Sequence, residues 1–435
     1  MPSPSQANAA PTIRRRPTKR RVRFRRIATI IALLLTAAAT IPTLLWWQER
    51  PLRQAEALLN SKQPDAPQQA LNIVDDWLKL HSGNSAAIAL RARILVRLGQ
   101  PAETLRLLQQ VGADRIEEMQ AWTEACLLLE RWTSALPVLE YLVKLQPDNP
   151  DTLHQLAACR AKLGRYDDAV AAARDFAKLR DCHARGYTLI GMLERDRANY
   201  QKCVEAWDEL LRRHPDATGL QVAPAELFLE YGKALLQLGR STDAVAALQK
   251  STSLQASADA SAYLGKALAN SGQATAAETA WQNAVQLNPD SRIAREGLAE
   301  LAMQQSRFDQ ALNWLKPLAN SPNLTSSTAF LLQRVHTLLK QPAEAALWKE
   351  RINLLKRKED ARIQMEQVIF TSPDSLWGQV FQAWFLAEQK NPEQAKALLA
   401  KFVAKDSHPF ILNLWSALQN GAPPPGLDEV PMQTF

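Results

Sequence analysis

A spacing of 34 residues recurs along most of this chain, and it limits the possible folds more than any other feature of the sequence. The clearest unit is 258–291, ADASAYLGKALANSGQATAAETAWQNAVQLNPDS. The same frame begins again at Pro51, Ser85, Ile116, Pro150, Ala184, Ala225, Arg292, Ser326 and Leu376, and five of the nine steps are 34 residues long. Position 20 reads Ala70, Thr104, Ala135, Ala169, Cys203, Ala244, Ala277, Ala311, Ala345 and Ala395. Only a small side chain suits a point where two helices cross closely. Position 24 is usually large, as in Trp207, Leu248, Trp281 and Leu315, with Lys349 as a departure. Gly99, Gly164, Gly239 and Gly272 fall at position 15, where a first helix ends in a left-handed residue. Pro147, Pro215 and Pro289 fall at position 32 and stop the second helix. A long period of paired helices is the mark of a stacked array, in which neighbours complete each other's core.

In unit 258–291 the residues Leu264, Gly265, Gly272, Ala277, Trp281, Ala284 and Pro289 resemble the signature of the tetratricopeptide repeat (TPR) family. The resemblance covers residues 51–409. It implies an all-α, right-handed superhelical solenoid of about ten helix pairs, with a concave groove that takes peptides or other proteins. Inserts are expected near 218–224 and 360–375, a capping helix at 410–420, and a disordered Pro-rich tail at 421–435. First-helix positions 2, 5, 9 and 12 should face the groove. There Lys233, Lys266 and Arg334 stand at position 9 of their units, with Glu296 and Glu300 at positions 5 and 9 of the unit between the last two. Two readings stay open: a charged ladder that grips a partner of both signs, or a solvated face of weak ion pairs. The Lys/Asn clamp by which some family members hold chaperone tails has no counterpart at these positions.

Ahead of the repeats lie 21 uncharged residues, 27–47, closed by Trp46 and Trp47. As a helix they would be about 31 Å long, enough to cross a bilayer, with the tryptophans at the interface. Residues 1–26 hold nine basic side chains, ending in Arg25 and Arg26, and no acid. They are expected to be a disordered cytoplasmic tail beside anionic lipid, which places the repeats outside the cytoplasm, in the periplasm if the cell is Gram-negative or in a lumen if it is eukaryotic. A cleaved signal peptide and a mitochondrial presequence are the competing readings.

The formal charge of +8 is concentrated in that tail, so the body is nearly neutral and no nucleic-acid partner is expected. No HExxH, phosphate-binding glycine loop or GxSxG elbow occurs, and the six histidines show no metal spacing. Neither enzyme activity nor a cofactor or metal is expected. Cys126 and Cys159 could form a thiol pair or be small packed residues. Trp377, Phe381, Trp384 and Phe385 form either a terminal core or an exposed anchor. The functional expectation is a membrane-anchored interaction scaffold for envelope assembly, secretion or biogenesis. A cytosol-facing receptor and a non-catalytic part of a polysaccharide-export machine are the alternatives.

Overall fold

The computed structural model describes residues 49–61, 63–220, 222–372, 375–403 and 408–431. The proposed span 27–47 and the residues Arg25, Arg26, Trp46 and Trp47 lie outside them. Among the described residues no helix is long and apolar enough to cross a membrane. The secondary structure there is all helical.

The chain divides into two compact units, Met1–Pro147 and Asp148–Phe435. The first holds three antiparallel pairs: α1 (Arg50–Leu59) with α2 (Ala66–Leu80), α3 (Ser85–Arg97) with α4 (Pro101–Val111), and α5 (Ile116–Leu128) with α6 (Trp132–Leu145). The second opens with α7 (Pro150–Lys162) and α8 (Tyr166–Lys178), then α9 (His183–Asp196) and α10 (Tyr200–Arg213). Next come α11 (Pro224–Gln237) with α12 (Ser241–Leu254), α13 (Ala258–Asn270) with α14 (Ala274–Leu287), and α15 (Arg292–Gln304) with α16 (Phe308–Ala319). It closes with α17 (Ser326–Leu338) and α18 (Pro342–Thr371), α19 (Leu376–Glu388) and α20 (Pro392–Val403), and the single helix α21 (Pro409–Asn420). Every first helix starts at the residue expected from the repeat or one before it.

The packing follows from the repeat positions. Nine of the ten position-20 residues are fully buried, and Ala345 is the exception. Thr104 occupies this position at the cost of a hydroxyl, which it satisfies by donating to the Ala92 carbonyl at 3.1 Å. Cys203 fits as a small apolar side chain, and burial pushes its thiol up to about 12. At position 24, Trp207 and Trp281 donate their indole N–H to the position-5 carbonyls of Thr188 and Ala262, 3.4 and 3.1 Å away. Each indole also lies over a first-helix glycine of its own pair, Gly191 or Gly265, where a Cβ would overlap the ring.

The turn inside a pair is more regular than its sequence. Gly99, Gly164, Gly239 and Gly272 have φ of 72–78°. At the same position Glu130, Ala198, Ser306, Lys340 and Lys390 take φ of 55–60°. The helix crossing dictates the left-handed turn, and a side chain there raises its cost by about 1 kcal/mol. Ser306→Gly is therefore expected to stabilise the array by up to about 1 kcal/mol, read as a higher denaturation midpoint at unchanged slope.

Three expectations from the sequence are modified. The insert near 218–224 contributes to packing: Ala217 just before it is buried, and Leu220 and Val222 pack on the core of the fifth and sixth pairs. The residues expected as an insert at 360–375 mostly continue α18, which runs for 30 residues. Ala361 and Met365 on this extension carry the tenth pair and α21, while Leu347, further back, stays 68% exposed. Lys349 is exposed at the same stretch, so its position-24 site has no apolar gap to fill. The Pro-rich stretch after Asn420, expected to be disordered, is packed as far as it is described. A 3-10 turn spans Leu427–Glu429, Val430 is buried, and the Pro425 carbonyl accepts the Trp384 indole N–H at 2.8 Å. Phe381 and Trp384 are buried with Trp377 and Phe385 packed on them, so the terminal aromatics form a core.

Candidate functional site

The five charged groove candidates separate into two kinds. Lys233 is engaged: its ammonium donates to Glu230 at 2.8 Å and lies 4.9 Å from the centre of the Tyr263 ring. Glu296 is engaged too, accepting from the Thr328 hydroxyl and from Arg292 at 3.0 Å. It therefore ties α15 to α17 rather than facing a partner.

Lys266, Glu300 and Arg334 differ. Each sits at position 9 of its first helix, on α13, α15 and α17, and each is exposed. Among the described residues none of them makes an ion pair or hydrogen bond. They are nevertheless neighbours in the field. Surrounding protein partly desolvates the Glu300 carboxyl and pushes it above the usual carboxylate range, Glu296 adds to this, and Arg334 and Lys266 pull it back. Phe330, one turn before Arg334 on α17, is 52% exposed. The row thus offers positive, negative and positive groups on three successive helices, with an aromatic ring beside the last. Position alone could nominate all five residues, but it could not tell which were already partnered. Phe330 was missed because an aromatic residue in a first helix reads as core.

The raised Glu300 carboxyl has a consequence for stability. The folded state binds this proton more tightly than the unfolded chain does, so folding gains as pH falls through the raised range and the ionised form is a cost above it. Glu300→Gln is expected to stabilise the protein slightly at neutral pH, by at most about 0.5 kcal/mol for so exposed a side chain. The gain should vanish in thermal melts below the usual carboxylate range.

In the concavity formed by the fourth and fifth pairs most of the charges are paired, although Arg174 and Lys202 on its wall make no ion pair among the described residues. A cavity of about 720 Å³ lies among α8, α9 and α10, with Lys178, His183, Glu194, Glu205 and Arg213 on its wall. Lys178 pairs with Asp175 at 2.8 Å, Glu194 with Arg197 at 2.6 Å and Arg213 with Glu209 at 3.2 Å, and Glu205 accepts from Gln201 at 2.8 Å. Burial and the Arg213 charge depress the His183 imidazole, which favours its neutral form. All four cysteines are free and buried, and among the described residues no cluster could hold a metal ion.

Stacked helix pairs with an open row of first-helix side chains define an α-helical repeat scaffold, a type of fold that is typically non-catalytic. A tetratricopeptide-repeat model matches residues 188–261 and 263–323, and the model of the N-terminal TPR region of Psidin matches 54–187. Together these matches cover more than half of the sequence, and the chain belongs to the tetratricopeptide-repeat family. No curated protein matches it. Among solved structures it is similar to the C-terminal part of a TPR repeat-containing protein from Cytophaga hutchinsonii, at 13% identity over 57% of this chain and 99% of that one, with a TM-score of 0.47. It is also similar to a tetratricopeptide repeat protein from Parabacteroides merdae, at 16% identity over 59% of this chain and 98% of that one, with a TM-score of 0.39. A third is YrrB, described as a TPR protein with an unusual peptide-binding site, at 17% identity over 47% and 97%, with a TM-score of 0.37. At these values the likenesses carry nothing about function.

Proposed function

We propose that this protein is a scaffold that holds other proteins through segments laid across the first helices of its second unit. The observation that carries this reading is the row Lys266, Glu300 and Arg334: three exposed, unpartnered charges at one repeat position, beside an exposed Phe330. The other charged groove candidates, Lys233 and Glu296, are held by contacts within the fold, whereas this row makes no ion pair or hydrogen bond among the described residues. In the same proposal residues 27–47 anchor the scaffold in a membrane, the basic tail stays in the cytoplasm and the repeats work on the other side, in envelope assembly, secretion or biogenesis. The uncharged run, the nine preceding basic residues and the closing Trp46 and Trp47 support that part.

The test places a photoreactive phenylalanine analogue at position 330, and in a second protein at the exposed second-helix position 279. Discrete crosslinked partners are expected from 330 and not from 279. Identical products from both positions would remove the groove from consideration. Alkaline extraction of membranes should leave the full chain in the pellet and release a form lacking residues 1–48; release of both would end the anchoring proposal.

A further inference from the structure

The signs and spacing of the row specify more than the presence of a partner. Lys266, Glu300 and Arg334 stand one repeat apart at the same helical position. Neighbouring packed helices lie about 8–10 Å apart, and an extended chain advances about 3.3 Å per residue. An extended ligand therefore passes one first helix about every three residues. Lys233 and Glu296 are engaged within the fold, so they do not lengthen the row.

Resting on the groove reading above, we infer that the second unit takes an extended peptide with the pattern acidic–x–x–basic–x–x–acidic. Its central Lys or Arg lies at Glu300 and its two acids at Lys266 and Arg334. The pattern reads the same in both chain directions, so the charges select the spacing and not the polarity of the peptide. A large apolar residue next to the acid at Arg334 would cover Phe330 and so fixes which end is which. Glu300 is the selective element: exposed and, among the described residues, free of ion pairs and hydrogen bonds, it attracts a cation placed over it and repels an acid at the same point, while the acids of the ligand are drawn to Lys266 and Arg334 on either side. A uniformly acidic or uniformly basic segment satisfies only part of the row.

The experiment selects from a display library of random nonapeptides on the full 435-residue chain, at about 150 mM salt so that long-range attraction to the basic tail is screened. Enriched peptides are expected to carry acid, base and acid at three-residue intervals. A synthetic peptide of that pattern should bind about tenfold more tightly than its sign-inverted counterpart, the modest effect expected of three solvent-exposed ion pairs. Glu300→Lys should convert the central preference to acid, and Lys266→Glu should convert one outer preference to base. Both variants change exposed side chains, and an unchanged circular dichroism melt checks their fold. Enrichment without the pattern, or a pattern that ignores both charge reversals, overturns the inference. If position 330 still crosslinks discrete partners in that case, the groove reading stands and only the peptide chemistry is wrong. Without such crosslinks the groove reading has failed as well.

Discussion

Gly297→Ala is expected to destabilise the second unit by about 1–3 kcal/mol, although the change is one methyl group on a helix. The Trp281 indole explains the size of the effect. It is 5% exposed, and it sits between Gly265 of its own pair and Gly297 of the next. A Cβ on Gly265 would come within 2.5 Å of Cδ1, and one on Gly297 within 2.5 Å of Cζ2, closer than real Cβ contacts. The ring cannot tilt away without giving up its hydrogen bond to the Ala262 carbonyl. Trp281→Ala removes the wedge itself and is expected to cost about 3–5 kcal/mol. The two changes should not add. With the indole removed, Gly297→Ala has room, and the Trp281→Ala/Gly297→Ala double variant should lose less than the two single losses together, a coupling of about 0.5–3 kcal/mol. Urea titration of the four proteins measures this. Stability in a repeat array is held locally, so hydrogen exchange should rise first in α13–α16 and later in α9 and α10. Additive losses would mean that the indole does not join the two pairs.

This interface also shows which parts of the architecture the sequence makes legible. Ala277, Trp281 and Gly265 stand at offsets that recur because a helix crossing admits few volumes, so the period placed the first helices to within one residue of where they start. The left-handed turns at Ser306 and Lys340 could be located by register alone, without glycine. The ninth pair was harder. A longer step of the period cannot distinguish a loop from added helical turns, and Ala361 and Met365 become a core only once the tenth pair folds on them. Lys349 looked like decay of the motif, yet it is a polar residue on a stretch of α18 that the tenth pair does not cover. The groove candidates were legible only as a set of positions. What separates Lys266, Glu300 and Arg334 from Lys233 and Glu296 is whether Glu230, Tyr263, Arg292 or Thr328 reaches them. Those contacts join residues from neighbouring turns and from other repeats, and packing periodicity does not encode them.

Removing residues 422–435 is expected to loosen the tenth helix pair by about 3 kcal/mol. Composition argues the opposite, since three consecutive prolines and few apolar residues read as a dispensable tail. Prolines suit this task because they bring no N–H that needs a partner, while their carbonyls remain acceptors. The Pro425 carbonyl takes the Trp384 indole proton, and Trp384 is 4% exposed in the core of the pair. Val430 is 6% exposed in the same core. Burial of a valine is worth about 1.5–3 kcal/mol and the hydrogen bond about 1 kcal/mol. The ion pair of Asp428 with Lys358 on α18, 3.3 Å long and largely open to solvent, adds little. Asp428→Asn should therefore be nearly neutral, and Trp384→Phe should lose about the 1 kcal/mol of the hydrogen bond. In the truncated protein, amide protection in α19–α21 should fall by about two orders of magnitude, the factor that 3 kcal/mol represents. Protection in α13–α16 should hold, because those pairs pack on their own neighbours and not on the extension of α18. Equal protection with and without the segment would make it a passenger. In that case the tenth pair would rest on the α18 extension, with Ala361 and Met365 at its centre, and Met365→Asp would be the change that detaches it.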